Sequence, residues 1–225
     1  MIKNKLTKKG FTLVEMIVVM GIVTIIIAVT LFNYQDVNSK SILKNVAYDM
    51  ALSFREIQSL GLGAKKYTLS NTTTDSFKTP FGAQFNSGQD VYMLFADEDQ
   101  NNNCFDNSTL CVCPDGECLS LIRPGYDKIK IYDVCVSDDN GDNSDCISNE
   151  LIDYASAIFK RPNPDARIYS SESSSPKQLM RVLLQVKDSD DLQMIKVTNT
   201  GQVSVKSCTL SSGDYKVGND NSDCI

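Results

Sequence analysis

The chain contains no histidine among its 225 residues. That removes the commonest neutral metal ligand and the usual general base. It also lacks a C-x-x-C pair, a glycine-rich phosphate loop and a G-x-S-x-G nucleophile motif, so no familiar enzyme pattern finds support. A catalytic acid pair among its 28 acidic residues would not be recognisable by spacing alone. Basic excess is missing too, since the net charge is −6. Four of the 22 basic residues, Lys3, Lys5, Lys8 and Lys9, fall in the first ten positions, which leaves 18 against 28 acidic residues, a balance of −10. Such a body repels phosphate backbones, and no nucleic acid partner is expected. Proline is absent before Pro80, so nothing of that kind interrupts the N-terminal third of the chain.

The apolar content is concentrated at the start. Residues 16–32, MIVVMGIVTIIIAVTLF, carry no charge, and with Phe11–Val14 the stretch approaches the ~20 residues that span a bilayer. The four lysines precede it and no comparable cluster follows closely, so the positive-inside bias puts the N-terminus in the cytoplasm and residues 40–225 across the membrane. All eight cysteines lie beyond the run, on the side where disulfides persist. A removable signal peptide is the competing interpretation, but Ala28-Val29-Thr30 followed by Leu31-Phe32-Asn33 is a poor cleavage site. One carboxylate, Glu15, interrupts the apolar stretch, at an insertion cost of about 2.5–3.5 kcal/mol, which demands a use and a partner.

Beyond the run, Leu43, Val46, Ala47, Met50, Ala51, Phe54 and Ile57 recur at spacings of three and four. This pattern predicts one continuous helix over about residues 11–60, with Gly61 and Gly63 as stop signals. After Gly63 the pattern turns to β. YTLS (67–70), FGAQF (81–85), VYMLFA (91–96), KIKIYDVCV (128–136), SAIFK (156–160), LMRVLLQVK (179–187), LQMIKVT (192–198) and QVSVK (202–206) read as strands. Asp188–Asp191 and Asn199-Thr200-Gly201 read as hairpin turns, and 97–118 and 137–150 as long loops. The expected fold class is α+β: a long N-terminal helix, transmembrane in its first half and amphipathic in its second, packed on an antiparallel β-sheet domain with disulfide-bonded loops.

The loops carry the remaining chemistry. DEDQNNNCFD sets Asp97, Asp99, Asn101 and Asn103 at alternate positions, the opening spacing of a calcium loop. Asn102 replaces the glycine at position six and Ser108 the glutamate at position twelve, so calcium is weighed against a plain Asp/Asn-rich turn. Asp138, Asn140 and Asp142 form a weaker set. DNSDCI occurs twice, at 142–147 and 220–225, each time behind an earlier cysteine. That repeat predicts the disulfides Cys135–Cys146 and Cys208–Cys224, the alternative being that both copies cross-link elsewhere. Cys104, Cys111, Cys113 and Cys118 allow three pairings, of which Cys104–Cys111 and Cys113–Cys118 are favoured. Zinc at Cys111, Cys113 and Cys118 is the competitor, without histidine or C-x-x-C to support it.

KKGFTLVEMIVV, residues 8–19, resembles the prepilin-type N-terminal motif of type IV pilins and type II secretion pseudopilins: basic leader, glycine, phenylalanine, Thr-Leu-Val and then glutamate. The resemblance implies that a prepilin peptidase cuts between Gly10 and Phe11 and N-methylates Phe11. It implies a leader at 1–10, a membrane segment at 11–32, an amphipathic half-helix at 33–62 and a β-rich domain at 63–225. Glu15 matches the family's assembly glutamate, which pairs with the α-amine that cleavage creates at Phe11, either its own or a neighbour's. Pairing offsets two buried charges and sets the register of helices that otherwise slide in hydrocarbon. The implied partners are other pilin or pseudopilin subunits and an inner-membrane assembly platform. The implied location is the inner membrane, with the body periplasmic or extracellular, and then a pseudopilus or pilus. Phe32 stands where many relatives carry proline, which implies a helix without that local loosening. MIKVTNTGQVSV (194–205) and FGAQFNSGQDVYMLFADEDQNN (81–102) look like segments of H-type, FimT-like minor pseudopilins. A minor pseudopilin in protein secretion is therefore the first expectation, a type IV pilin in adhesion or DNA uptake the second, and a membrane-anchored enzyme or receptor the third.

Overall fold

The computed structural model describes residues 10–63, 79–97, 101–106, 109–110, 118–125, 128–138, 144–187, 189 and 191–209. The chain divides into two compact units, Met1–Ser39 and Lys40–Ile225, and one helix, α1 (Leu13–Leu62), contributes residues to both.

In the first unit every described side chain from Gly10 to Leu31 is exposed. The stretch Leu13–Leu31 is long and apolar enough to cross a membrane. Two threonines interrupt it, and both turn their hydroxyls back on the helix. Thr24 Oγ1 donates to Met20 O at 2.7 Å, and Thr30 Oγ1 reaches Ile27 O at 2.9 Å and Ile26 O at 3.1 Å. Satisfied inside the segment, these groups demand nothing from hydrocarbon.

In the second unit α1 presents a seam. Leu43, Ala47, Met50, Phe54 and Ile57 are buried, Val46 and Ala51 are half-buried against the same core, and Lys44, Asp49, Arg55 and Glu56 face outward. The alternating steps of four and three keep one face inward along the whole length. Only Gly63 lies past the helix, its N–H donating to Ser59 O at 2.7 Å, while Arg161 Nε donates to Leu62 O at 2.9 Å. Gly61, expected as a stop signal beside Gly63, is instead helical. A Cβ there would sit 2.6 Å from the Phe159 carbonyl oxygen, so this glycine permits close packing of the helix on a strand.

The rest is β, in chain order β1 (Phe81–Asn86), β2 (Tyr92–Ala96), β3 (Phe105–Asp106), β4 (Thr109–Leu110), β5 (Cys118–Ile122), β6 (Ile129–Ser137), β7 (Ser144–Cys146), a 3-10 turn (Ile147–Asn149), β8 (Tyr154–Phe159), β9 (Ala166–Ser170), β10 (Ser173–Lys177), β11 (Leu179–Val186), β12 (Asp191–Thr198) and β13 (Val203–Thr209). All pairings are antiparallel. The expected antiparallel domain consists of two main sheets: one has the order β10-β9-β8-β1-β2-β5, a second has β13-β12-β11-β6-β7, and β3 and β4 form a small hairpin. The stretches read as long loops, 97–118 and 137–150, contain β3, β4, the start of β5, and β7 with its 3-10 turn. YTLS (67–70) lies outside the described residues. The two expected hairpin turns join β11 to β12 and β12 to β13.

Both sheets and the helix share one core. Phe81, Phe85, Tyr92 and Phe159 come from the first sheet, and Val134, Met180, Val182 and Ile195 from the second. Phe54 stacks on Phe85 at 6.2 Å and Phe85 on Tyr92 at 5.4 Å, while the Tyr92 hydroxyl donates to Ser53 Oγ at 3.0 Å. Gln58 fastens the helix from its buried flank. Its Nε2 donates to Pro164 O at 3.0 Å and Gly201 O at 3.1 Å, and its Oε1 accepts from Arg55 at 3.0 Å. Gly201, in the β12–β13 turn, has φ +76, and a Cβ there would fall 2.1 Å from Pro164 O. The chain passes from the first sheet to the second at Gln178, where Lys177 Nζ pairs with Asp138 at 2.8 Å and Asp145 at 3.5 Å.

The outer face of the first sheet is also covered. Gln84 and Ser156 point away from the main core yet are fully buried, because residues 101–104 lie over them. Gln84 Oε1 accepts from Cys104 N at 2.7 Å, and Ser156 Oγ donates to Asn102 O at 2.8 Å. Met93, Phe95, Cys104, Cys118 and Ile158 form a small second cluster there, with Tyr169 packed against it.

Candidate functional site at the N-terminal helix

Gly10 and Phe11 are exposed and precede the helix, and nothing lies within 4 Å of a Cβ built on Gly10. The bond between them is therefore unhindered by the described chain. Thr12 is the cap. Its Oγ1 accepts from the Glu15 N–H at 3.3 Å and its carbonyl accepts from Met16 N at 3.2 Å, so the helix begins at Leu13. Thr12-Leu13-Val14-Glu15 thus has the spacing of a capping box, with the glutamate in the first turn, where the helix dipole favours negative charge. This geometry departs from the expectation of a helix already continuous at Phe11: Phe11 stands outside the first turn. Sequence reading missed the role of Thr12, although T-x-x-E before an apolar run was its signal.

Glu15 is exposed, with Leu13, Val14, Met16 and Ile17 exposed around it. A carboxylate ringed by lipid-compatible side chains is costly in hydrocarbon unless a cation meets it.

Among the expected cysteine pairs, Cys135 and Cys146 are joined by a disulfide and face each other directly across β6 and β7. Cys104, Cys118 and Cys208 are also disulfide-bonded, while Cys111, Cys113 and Cys224 lie outside the described residues. Asp133, Cys135 and Cys146 come close enough together to suggest a metal cluster, but the disulfide takes both thiolates and leaves one carboxylate. That carboxylate has a structural use. Asp133 Oδ1 accepts from Val134 N at 2.8 Å and Ser148 N at 3.1 Å, and Oδ2 accepts from the Ser148 hydroxyl, tying the 3-10 turn to β6. Burial pushes the Asp133 carboxyl above the usual aspartate value, against the lowering effect of these hydrogen bonds.

The expected calcium loop is partly in view. Asp97 is fully buried, and its N–H donates to Pro80 O at 2.9 Å. Asn101 Oδ1 accepts from Asn103 N at 2.9 Å, and Asn103 Nδ2 donates to Asn101 O and to the Tyr154 hydroxyl, each at 3.3 Å. Asn102 takes φ +68, the left-handed conformation that glycine supplies at position six of a calcium loop. Asp99 lies outside the described residues. Asn101 and Asn103 are thus hydrogen-bonded to each other, and Asn103 also to the sheet. In the second acidic set, Asp138 is engaged by Lys177, and Asn140 and Asp142 lie outside the described residues.

Residues 5–31 match the family model described as the prokaryotic N-terminal methylation motif. The match runs from the leader through the apolar run and supports a type IV pilin-like or pseudopilin subunit. Comparison with curated proteins and with solved structures found no match.

Proposed function

We propose that this chain is a pilin-like structural subunit, cut between Gly10 and Phe11 by a prepilin peptidase that N-methylates Phe11, and assembled through its N-terminal helix. The observation that carries this reading is the methylation motif at 5–31, whose residues from Leu13 to Leu31 lie on an exposed, apolar helix. Cleavage would leave Thr12 as cap and Glu15 in the first turn, one carboxylate for one new α-amine. Pairing across subunits removes two charges from hydrocarbon together.

Within that class we favour a minor pseudopilin of a type II secretion pseudopilus, spanning the inner membrane with its body on the far side. The long helix followed, among the described residues, by strands and one 3-10 turn, and the 194–205 segment, support this assignment. A type IV pilin in adhesion is the runner-up, and the acidic body counts against DNA uptake. Intact mass of the protein from native membranes tests the processing. The mass of residues 11–225 plus one methyl group, rising on reduction, is expected. A full-length mass, or a cut near residue 30, would overturn the reading.

A further inference from the structure

Beside the loop at 101–104, the outer face of the first sheet carries a cleft of about 510 Å³ whose contents are of one chemical kind. Two tyrosines stand in it, Tyr154 on β8 and Tyr169 on β9. Tyr169 is paired in register with Ser156, so Tyr154 is its diagonal neighbour on the same face. Asn101 borders one side, and Ser171 and Glu172 of the β9–β10 turn border the other. Glu172 is the one charged side chain lining the cleft among the described residues.

Elimination narrows the ligand. An apolar molecule would strand the amide and hydroxyl groups of the walls without partners. Among the described lining residues an anion finds no lysine or arginine, and a divalent cation finds a single, exposed carboxylate. A neutral polyhydroxylated molecule fits on both counts: half-buried tyrosine rings offer apolar faces to C–H surfaces, and serine, asparagine and glutamate exchange hydrogen bonds with hydroxyls. The volume lies within the range of small-ligand sites.

We infer that this cleft is a carbohydrate-binding site for a short neutral glycan, held against Tyr154 and Tyr169 and hydrogen-bonded by Glu172 and Ser171. The inference stands on the cleft and does not depend on how the N-terminus is processed. Because the site belongs to the Lys40–Ile225 unit, a chain displayed at a surface carries it with its body.

The test uses the full-length chain, solubilised in detergent, on a printed array of defined neutral and acidic glycans, with hits titrated in solution. A set of neutral glycans sharing one terminal sugar should be retained, and Tyr169→Ala and Glu172→Gln should each weaken binding about tenfold with an unchanged thermal midpoint. Tyr169 packs on the Met93–Phe95 cluster, so if its variant unfolds, Glu172→Gln on the exposed turn decides the matter. Three results would overturn the site: no glycan retained above the detergent background, retention of sulfated or sialylated glycans alone, or binding that Glu172→Gln leaves unchanged.

Discussion

Two residues with no part in the proposed assembly chemistry hold the β12–β13 turn against the helix. Gln58 closes two carbonyls at once, on Pro164 and Gly201, and Gly201 can be where it is only because it lacks a Cβ. Gln58→Ala leaves both carbonyls without their donor and should cost about 2 kcal/mol. Gly201→Ala combines a positive φ with a Cβ driven into Pro164 O and should cost about 2 kcal/mol or more. Urea titration of each variant checks both values, and since the residues touch, the double variant should lose less than the sum. Asp133 supplies a pH signature. Its carboxyl is raised by burial, so the folded state holds the proton to higher pH than the unfolded chain does. Stability from this group is therefore greatest at acid pH and falls as pH rises from about 4 through the folded value. Asp133→Asn keeps an oxygen for the Val134 and Ser148 N–H groups. It should remove that slope, seen as a difference between the pH–stability curves of variant and parent.

Among the elements, β7 depends most on a covalent bond. Ser144–Cys146 is short, its sequence SDC has little strand propensity, and it pairs only with the end of β6. The Cys135–Cys146 bond supplies what propensity does not, and Asp145 on the same strand reaches Lys177 at the crossing between sheets. Replacing both cysteines by alanine should cost about 2–3 kcal/mol. Hydrogen exchange should show the β7 amides losing protection first, while β11 and β12, central in the second sheet, keep theirs.

For the molecule as a whole, the proposed role separates anchoring from assembly. In that proposal the apolar stretch anchors and the carboxylate assembles. Glu15→Val should leave the amount of chain in the membrane unchanged or higher, since an insertion cost is removed. It should reduce the chain recovered in sheared filaments about tenfold or more, because the charge that sets helix register is gone. Equal recovery of variant and parent in filaments would dissociate Glu15 from assembly.

What could be read from the residues alone is what chain neighbours decide. The uncharged run at 16–32, the steps of three and four from Leu43 to Ile57, the apolar, valine-containing run LMRVLLQVK and the turn residues Asn199-Thr200-Gly201 each encode a local preference, and the structure carries them as α1, β11 and the β12–β13 turn. The glycine, phenylalanine and glutamate of the N-terminal motif are legible for the same reason, being contiguous. Tertiary structure decided what depends on distant partners. SSSPK became β10 because β9 lies beside it, and ARIYS, alternating but short and preceded by two prolines, became β9 because β8 does. The split into two sheets followed from β1 pairing with β8, some seventy residues away, a choice that local propensity does not make. The burial of Gln84 and Ser156 under residues 101–104, and the meeting of Tyr154 with Tyr169, came from the same pairings, since side chains on separate strands share a face only once register is set.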